Sequence, residues 1–399
     1  MIKVAILGFG VVGGGVADLL TNNAKEVSAL GGDNIEIKYI LDLRDFPASP
    51  FADRVIHDFD TILSDDEVDC VIEVMGGSHP AYEYTIAALR AGKHVITSNK
   101  EVVARYGDEF LCEAEKSGVC YRFEAAVGGG IPVIAPIIGF VKQNKLREIR
   151  GILNGTTNYI LTKMFRHGES FDAALKDAQE RGYAERNPDA DILGTDASRK
   201  IAILTSLATG KLIPTEAIHT EGITAIRSED VKAAESLGMQ IKLLGRSIID
   251  GENIEIMVAP FMISENLPLA SVSGVYNAVE VIGEPIGNIM FYGQGAGAGA
   301  TASAVVGDLM QIMRSERNCA QPSMTKTCEG VIDFANFETR HYIALCGINE
   351  SKIEAEFGNV QYIEANGEIA FITDMMSEGR VIAALERLSA DVKSRIRLI

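Results

Sequence analysis

The first thirteen residues constrain the fold of this chain more than any other stretch. The apolar run "KVAIL" is typical of a buried parallel strand, and it leads directly into the glycine-rich segment "GFGVVGGG". Gly8, Gly10 and Gly13 therefore stand between a predicted strand and a predicted helix, with the spacing G-x-G-x-x-G. In this context Gly8 allows a tight turn, Gly10 allows a phosphate to approach the backbone, and Gly13 allows the helix to pack against the strand.

The glycine pattern predicts a bound dinucleotide, because the N-terminus of the following helix stabilises phosphate groups. The alternative is a glycine-rich turn without a ligand. We assign cofactor binding to this turn, which comprises Gly8, Phe9, Gly10, Val11, Val12 and Gly13. We also assign it to Gly77, after a later strand, and to Gly295 and Gly297 of a second glycine-rich turn, "GQGAGAGATAS".

Two residues at the end of the second predicted strand make opposite predictions about the dinucleotide. Asp42 is placed to bind a ribose diol, which favours NAD. Arg44 is placed to pair with a 2′-phosphate, which favours NADP. Either residue has the alternative of facing solvent. The sequence leaves the choice between NAD and NADP open, with NADP slightly favoured.

The order of strand and helix patterns divides the chain into three parts. Residues 1–130 alternate strand and helix, which predicts an α/β domain with a Rossmann-type, doubly wound parallel sheet. Residues 131–315 predict a central α+β domain, with a return to the first domain near 293–315. Residues 316–399 predict a linker and a small α+β tail. In the central domain the candidate strands are 145–153, 254–263 and 277–283, and the candidate helices are 157–167, 170–182, 196–209 and 228–244.

Charge and composition argue against several classes of protein. The net charge of −18 argues against binding to nucleic acid and to anionic membranes. The apolar, uncharged run Ala125–Val141 contains four glycines and two prolines, so it is too broken to span a membrane. The N-terminus lacks the pattern of a signal peptide. The six cysteines show no C-x-x-C spacing, so we expect reduced thiols and a cytoplasmic location.

Six segments together identify a family resemblance. "GFGVVGGGV", "TSNKEVVA", "EAAVGGGIPVI", "GILNGTTNYILTKM", "GYAERNPDADILGTDASRKIAIL" and "GQGAGAGATASAVVGDL" resemble homoserine dehydrogenase, in the order of that family and over most of residues 1–315. The resemblance implies NAD(P)-dependent interconversion of L-aspartate 4-semialdehyde and L-homoserine, a step toward threonine and methionine. It also implies that the central domain binds the amino-acid substrate and forms a homodimer, with a tetramer as the alternative.

Asp196 and Lys200 begin a helical row that continues with Ile203 and Leu207, at spacings i, i+4, i+7 and i+11. Because the later members are apolar, the pair is expected to line the mouth of a core. Spacing alone favours a plain helix ion pair, whereas the resemblance makes both residues catalytic. Lys200 is then the proton donor to the carbonyl oxygen. Lys100, the last residue of the predicted strand "HVITSNK", competes with it for that task. The resemblance also implies that Lys100 contacts the cofactor and the substrate.

The resemblance also assigns the substrate groups. Glu185 would bind the ammonium group, and Asp191 belongs to the same acidic lining. Asn154, Gly155 and Thr156 resemble the loop that binds the carboxylate, a task that suits a turn with available N–H groups.

A monovalent cation such as Na⁺ is a further expectation from the resemblance. The family holds it through main-chain oxygens of a glycine-rich turn, which here map to Glu124, Val127, Gly129 and Ile131. From the residues alone this turn is a plain loop.

The tail departs from the longer members of the family, which end in a regulatory ACT domain. It begins with a similar strand, "RHYIALCG", but only about ten residues, "INESKIEAEF", follow where a helix and a ligand loop are expected. We therefore predict a truncated ACT-like unit used for packing or dimerisation. Two rival functions remain at this point. One is a dehydrogenase for another semialdehyde or hydroxy acid, and the other is an NAD(P)-sensing module without catalysis.

Overall fold

The computed structural model describes residues 1–141, 143–314, 322–325, 329–365 and 367–399. Its contacts divide the chain into two compact units. The first unit comprises Met1–Asn144, Ala202–Thr215 and Gly293–Cys328, and the second comprises Lys145–Ile201, Glu216–Tyr292 and Glu329–Ile399. Most of the linker predicted from residue 316 onward lies outside the described residues.

Strands and helices largely alternate up to about residue 155, and runs of helices and then of strands follow. The strands are β1 (Ile2–Leu7), β2 (Ile35–Leu41), β3 (Val55–Ile56), β4 (Cys70–Glu73), β5 (His94–Thr97), β6 (Tyr121–Arg122), β7 (Lys145–Ile152), β8 (His219–Thr220), β9 (Met239–Asp250), β10 (Asn253–Ser264), β11 (Tyr276–Glu284), β12 (Gly287–Gln294), β13 (Glu338–Cys346), β14 (Val360–Ile363), β15 (Ile369–Thr373), β16 (Met376–Ser377) and β17 (Asp391–Leu398).

The helices are α1 (Val11–Asn22), α2 (Ala24–Gly31), α3 (Phe59–Leu63), α4 (Ala81–Arg90), α5 (Lys100–Ser117), α6 (Ile134–Val141), α7 (Gly155–His167), α8 (Phe171–Glu180), α9 (Asp189–Ile192), α10 (Thr195–Thr209), α11 (Ser228–Ser236), α12 (Ala298–Arg314), α13 (Glu350–Phe357) and α14 (Glu378–Leu388).

The first unit contains the parallel sheet that the sequence predicts. Its six strands follow the order β3-β2-β1-β4-β5-β6, and every neighbouring pair is parallel. The strand order reverses between β1 and β4, and ligands of such sheets bind beside the carboxyl ends of the strands at this point. The Rossmann-type fold class is therefore confirmed.

Helix α12 completes the core of the first unit although it comes late in the chain. Val305, Val306 and Leu309 of this helix are buried in the same cluster as Val4 and Ile6 of β1. A Cβ at Gly15 of α1 would lie 3.0 Å from the carbonyl oxygen of Ala298, so the two helices cross in close contact.

The second unit is built on a mixed sheet. Its main path is β12-β11-β7-β9-β10-β17-β13-β15-β14, while β8 pairs with β10 and β16 pairs with β13. The tail contributes β13, α13, β14, β15, the two-residue strand β16, α14 and β17, so that apart from β16 its chain order is β-α-β-β-α-β. The last strand, β17, lies between β10 and β13, so the sheet of the tail continues the sheet of the central part.

The helix predicted over 228–244 is wrong in its second half. Helix α11 ends at Ser236, and Gly238 then adopts a φ of +64°, a conformation that ends helices. Residues Met239–Asp250 form the central strand β9 instead. Because β9 is buried on both faces over most of its length, its apolar residues do not alternate, and the pattern does not distinguish a strand from a helix. The candidate strands 145–153, 254–263 and 277–283 are confirmed as β7, β10 and β11.

The cysteines follow the expectation of reduced thiols only in part. Cys70, Cys112 and Cys346 are free, whereas Cys120 is disulfide-bonded. Cys319 and Cys328 lie outside the described residues. Within the part of the chain that the structure describes, no helix combines the length and the apolar character needed to cross a membrane.

Candidate active site

The glycine-rich turn after β1 has the conformation that its motif predicts. Gly8 has a φ of +95°, and a Cβ there would lie 3.2 Å from the carbonyl oxygen of Val74. A Cβ at Gly13 would lie 2.0 Å from the carbonyl oxygen of Gly8, so α1 reaches the turn only because residue 13 is glycine. Gly10 caps α1, and no heavy atom lies within 4 Å of the position of a Cβ there. This open space at a helix N-terminus fits a pyrophosphate.

Asp42 and Arg44, which make opposite predictions from the sequence, are partners in the structure. Arg44 donates from Nε to Oδ1 of Asp42 at 2.9 Å and from Nη2 to Oδ2 at 3.0 Å. The backbone N–H of Phe9 also donates to Oδ2 of Asp42, at 2.8 Å. The hydrogen bonds from Arg44, with smaller help from Phe9, lower the pKa of Asp42 to about 2. The Arg44 side chain is 65% exposed, so its guanidinium is accessible to a ligand.

The strand predicted to end at Lys100 ends at Thr97 instead, and Lys100 is the first residue of α5. Asn99 caps this helix, because its Oδ1 accepts from the backbone N–H groups of Glu101 at 3.2 Å and Val102 at 3.4 Å. Its Nδ2 donates to the carbonyl oxygen of Gly77 at 2.8 Å. One side chain thus joins Gly77 to the helix that starts at Lys100, at the carboxyl edge of the parallel sheet.

Glu73, which the sequence does not single out, stabilises this arrangement through hydrogen bonds. Glu73 ends β4 and is buried, and it accepts from Oγ1 of Thr97 at 2.5 Å and from the backbone N–H of Met75 at 2.8 Å. Burial raises the pKa of its carboxyl to about 7. Thr97 Oγ1 in turn accepts from the backbone N–H of Asn99 at 2.9 Å. The only sequence signal is an acidic residue at the end of the apolar run "CVIE".

The second unit holds Asp196 and Lys200 in a buried cluster. Lys200 Nζ donates to Oδ2 of Asp196 and to the carbonyl oxygen of Leu153, both at 2.7 Å. Asp196 is 5% exposed and Lys200 is 8% exposed. Ile203 and Leu207 are buried further along the same helical row. The pair is therefore withdrawn from water, unlike an ordinary ion pair on an exposed helix.

Asn154 connects this pair to the acidic loop, which comprises residues 183–194 and includes α9. Its Nδ2 donates to Oδ1 of Asp191 at 2.6 Å and to Oδ2 of Asp196 at 2.9 Å. Its Oδ1 accepts from the backbone N–H of Thr157 at 2.9 Å, which caps α7. Because both amide N–H groups are used, Asn154 holds two carboxylates at a fixed separation without neutralising either.

The remaining candidate residues for substrate binding differ in how closely they belong to this buried cluster. Burial raises the pKa of Asp191, and the charge of Asp196 adds to that effect. Thr156 Oγ1 donates to the carbonyl oxygen of Tyr183 at 2.7 Å, which fastens the start of α7 to the start of the acidic loop. Glu185 belongs to that loop but its side chain is exposed, so it is not part of the buried cluster.

Gly155 is required by a close backbone contact. A Cβ there would lie 2.6 Å from the carbonyl oxygen of Val275 and 3.4 Å from Oδ1 of Asn277. Asn277 is 2% exposed, and its Oδ1 has no hydrogen-bond partner among the described residues. This buried amide oxygen beside the first turn of α7 is a polar group that the sequence does not single out. Its only signal is an asparagine at the start of the strand "NAVEVIG".

The loop that the resemblance assigns to a cation uses the Glu124 carboxylate for another purpose. Its oxygens accept from the backbone N–H groups at the start of α6, at 2.6 Å from Val133, 2.8 Å from Ile134 and 2.9 Å from Ala135. The Glu124 carbonyl oxygen accepts from the N–H of Val127 at 3.4 Å. Among the described residues no group of three or more His, Cys, Asp or Glu side chains is arranged to hold a metal ion. The cation at main-chain oxygens of this loop stays a prediction from the resemblance.

The two glycine-rich turns of the first unit lie against each other. A Cβ at Gly129 would lie 2.5 Å from the carbonyl oxygen of Gly295, and Gly130 N donates to the carbonyl oxygen of Gln294 at 3.2 Å. Gly297 has a φ of +118° and immediately precedes α12. The proposed cation loop and the second cofactor turn are thus neighbours.

Comparison with known proteins agrees with this geometry. The family model for homoserine dehydrogenase matches residues 132–310, and the model for the NAD-binding domain of homoserine dehydrogenase matches residues 8–124. The homoserine dehydrogenase of Synechocystis sp. is 38% identical over 422 residues, covering 97% of this chain and 96% of the relative.

Solved structures show the same likeness. A homoserine dehydrogenase from Thiobacillus denitrificans superposes with a TM-score of 0.93 at 34% identity, covering 100% of this chain and 98% of the other. A mutant of a hyperthermophilic archaeal homoserine dehydrogenase in complex with NADPH has a TM-score of 0.67 at 26% identity, covering 78% of this chain and 97% of the other. The chain therefore belongs to the homoserine dehydrogenase family, whose members are oxidoreductases with an NAD-binding domain.

Proposed function

We propose that the protein interconverts L-aspartate 4-semialdehyde and L-homoserine, using NADP or NAD, in the biosynthesis of threonine and methionine. The observation that carries this proposal is the buried cluster of Lys200, Asp196, Asn154 and Asp191. It combines a desolvated lysine with two carboxylates, which is the polar environment that an amino-acid aldehyde requires. When bound, the dinucleotide supplies or accepts the hydride.

The protein has to supply the proton. In aldehyde reduction the carbonyl oxygen becomes a hydroxyl, and Lys200 Nζ is the donor we propose. In the reverse direction the same nitrogen accepts the proton of the homoserine hydroxyl. Asp196 and the carbonyl oxygen of Leu153 orient Nζ by two hydrogen bonds of 2.7 Å. Lys100 remains the alternative donor, since its place at the carboxyl edge of the sheet is also suited to a ligand.

The charged ends of the substrate need separate partners. We propose that Glu185 and Asp191 receive the ammonium group, because both lie in the acidic loop. Gly155 and Thr156 begin α7, so their backbone N–H groups suit the substrate carboxylate. Asn154 positions the acidic side chains and the helix start together.

For the cofactor, NADP is slightly favoured over NAD, with dual use as the alternative. The exposed Arg44 guanidinium supports a 2′-phosphate contact.

An Arg44→Ala variant should bind NADPH about tenfold more weakly, because it loses one charge-assisted contact, while NADH binding stays unchanged or improves. Titration followed by the fluorescence of the reduced nicotinamide measures both, and the chain has no tryptophan to interfere. The matched control is Arg90→Ala, which removes another exposed arginine of the first unit. Equal losses of affinity for NADPH and NADH would show that Arg44 does not contact the 2′-phosphate.

Further parts of the proposal rest on the family. Residues 1–130 with 293–315 would bind the dinucleotide, residues 131–315 would bind substrate and form a homodimer or tetramer, and residues 316–399 would be a linker and an ACT-like tail. Main-chain oxygens of Glu124, Val127, Gly129 and Ile131 would hold Na⁺. The three free cysteines support a cytoplasmic location, although Cys120 is disulfide-bonded.

Turnover with L-homoserine tests the proposal against both rivals. Reduction of NAD and of NADP is followed spectrophotometrically, with other amino alcohols and hydroxy acids as competing substrates. We expect homoserine to have the highest kcat/KM. A better substrate among the others would indicate a different dehydrogenase, and binding of NAD(P)H without any turnover would indicate a sensing module.

A further inference from the structure

Two arginines of the C-terminal strand converge on one glutamate of the central part of the chain. Arg397 donates to Glu221 from Nη1 to Oε2 at 2.7 Å and from Nη2 to Oε1 at 2.8 Å. Arg395 Nη2 donates to Oε1 of Glu221 at 3.0 Å, and the His219 ring lies 2.6 Å from the same oxygen. Through Glu221, β17 is thus joined by ion pairs to the segment that follows β8.

The ion pairs of Glu221 with β17 are buried on the side of the tail. Arg397 and Glu378 are both 0% exposed, and Arg397 Nε donates to Oε1 of Glu378 at 2.5 Å. Burial alone would raise the pKa of Glu221, but the hydrogen bonds from Arg397 and His219 and the charges of Arg397 and Arg395 outweigh it and hold that pKa well below its usual range. Glu221 therefore stays ionised, and removal of its charge leaves a buried guanidinium with fewer partners.

The backbone beside Glu221 supports the acidic loop directly. Ile223 N donates to the carbonyl oxygen of Ile192 at 2.9 Å. A Cβ at Gly222 would lie 2.0 Å from that same oxygen and 2.6 Å from Cα of Leu193. The segment after Glu221 is thus packed against the end of α9 as closely as backbone permits, and movement of one displaces the other.

Ile192 is the neighbour of Asp191, which Asn154 links to Asp196 and Lys200. A continuous series of contacts therefore runs from Arg397 through Glu221 and the Ile192 carbonyl to the cluster of the proposed active site. We propose that Glu221 is a positioning residue, through which the C-terminal strand β17 holds the acidic loop in the geometry that binds the substrate. This inference rests on the proposed function of that cluster.

A second ion pair between the tail and the central part provides a matched control. Arg227, which precedes α11, donates to Glu368 from Nη1 at 2.6 Å and from Nη2 at 3.0 Å. Glu368 is partly buried like Glu221, with side chains 15% and 28% exposed respectively. Its loss also weakens attachment of the tail, but Glu368 is linked to the Ile192 carbonyl more remotely than Glu221, through Arg227 and the hydrogen bond of 3.1 Å from Ile226 N to the carbonyl oxygen of Ile223. Glu221→Gln and Glu368→Gln therefore separate positioning from simple attachment.

The experiment measures three quantities for the full-length protein and both variants. For Glu221→Gln we expect KM for homoserine to rise about tenfold or more, because small displacements of a substrate-binding group are costly. The dissociation constant for NADPH should stay unchanged. Hydrogen exchange of peptides covering 189–195 should accelerate. Glu368→Gln should lower Tm by a similar amount and leave KM and exchange at 189–195 as in the wild type.

Two outcomes overturn the inference. One is equal KM values for the two variants, and the other is unchanged exchange at 189–195 in Glu221→Gln. If that variant does not fold, Arg395→Gln removes only one of the hydrogen bonds to Glu221, and the same exchange measurement decides. Failure of the wild type to oxidise homoserine refutes the proposed function instead, while hydrogen exchange still tests whether the tail holds the loop.

Discussion

At the scale of residues, Asn154 determines the geometry of the proposed active site. Asp191 and Asp196 carry like charges that repel each other, and the Asn154 amide lies between them and donates to both. The same side chain caps α7, so the loop that offers N–H groups and the loop that offers carboxylates share one anchor. A neutral donor is therefore essential at this position.

Replacement of Asn154 by Asp tests that requirement with almost no change in shape. The new carboxylate has no N–H to donate and adds a third negative charge within hydrogen-bond distance of two others. We expect kcat/KM for homoserine to fall about a hundredfold or more, as for other misplaced catalytic groups, while NADPH binding is retained.

The matched control is Asn187→Asp, which adds the same charge to an exposed position of the acidic loop. Kinetics and NADPH titration of both variants provide the comparison. An Asn154→Asp enzyme with wild-type kcat/KM would show that the bridge between the carboxylates is dispensable.

At the scale of elements, two buried carboxyl groups connect α6 to α12. The N-terminus of α6 is capped by the Glu124 carboxylate, and the backbone N–H of Glu124 donates to Oδ2 of Asp308 on α12 at 2.8 Å. Burial, with the charge of Glu124, raises the pKa of Asp308 to about 8. Asp308 is therefore protonated in the folded protein at neutral pH.

This shift predicts how stability depends on pH. Between the ordinary pKa of 3.8 and about 8, the folded protein holds a proton on Asp308 that the unfolded chain has lost. The contribution of Asp308 to stability therefore falls as pH rises through this window, by up to about 1.4 kcal/mol per pH unit.

Asp308→Asn removes that dependence, because an amide oxygen still accepts from Glu124 N and does not ionise. We expect the variant to gain stability relative to the wild type as pH rises from 5 to 8. Urea unfolding followed by circular dichroism at several pH values measures the difference. A constant difference at all pH values would mean that Asp308 does not titrate in this window.

Local motifs are the part of the fold and site that the sequence predicts well. The turn of Gly8, Gly10 and Gly13 and the Asp196–Lys200 spacing depend on neighbours within a few residues, so their geometry follows from the chain itself. Contacts between distant segments are different. Nothing in the sequence near Gly155 indicates that the Val275 carbonyl lies against it, and nothing near Glu221 indicates Arg397. For the same reason β9 resembles part of a helix until its partners β7 and β10 are known.

At the scale of the whole molecule, the tail is part of the second unit rather than an appendage. Strand β17 pairs with β10 on one side and with β13 on the other. Its Arg397 is fully buried against Glu378 and Glu221. The central part and the tail should therefore unfold together.

Truncation after residue 390 tests this continuity. The shortened chain loses β17, exposes the edges of two long strands and leaves Glu378 buried without its arginine partners. We expect a loss of soluble, cooperatively folding protein. Calorimetry is the suitable measurement, with Val392→Ser, an exposed position of the same strand, as the control. A truncated chain that unfolds at the wild-type temperature would show that the tail is independent.

The most direct test of the whole account is the effect of Lys200→Met on homoserine oxidation, compared with Lys100→Met. Methionine keeps the length of the side chain and removes the proton-transferring nitrogen. We expect Lys200→Met to lower kcat about a hundredfold or more, the usual contribution of general acid–base catalysis, with an unchanged dissociation constant for NADPH. A Lys200→Met enzyme that oxidises homoserine at the wild-type kcat, while Lys100→Met does not, would contradict the account and transfer the proton chemistry to Lys100.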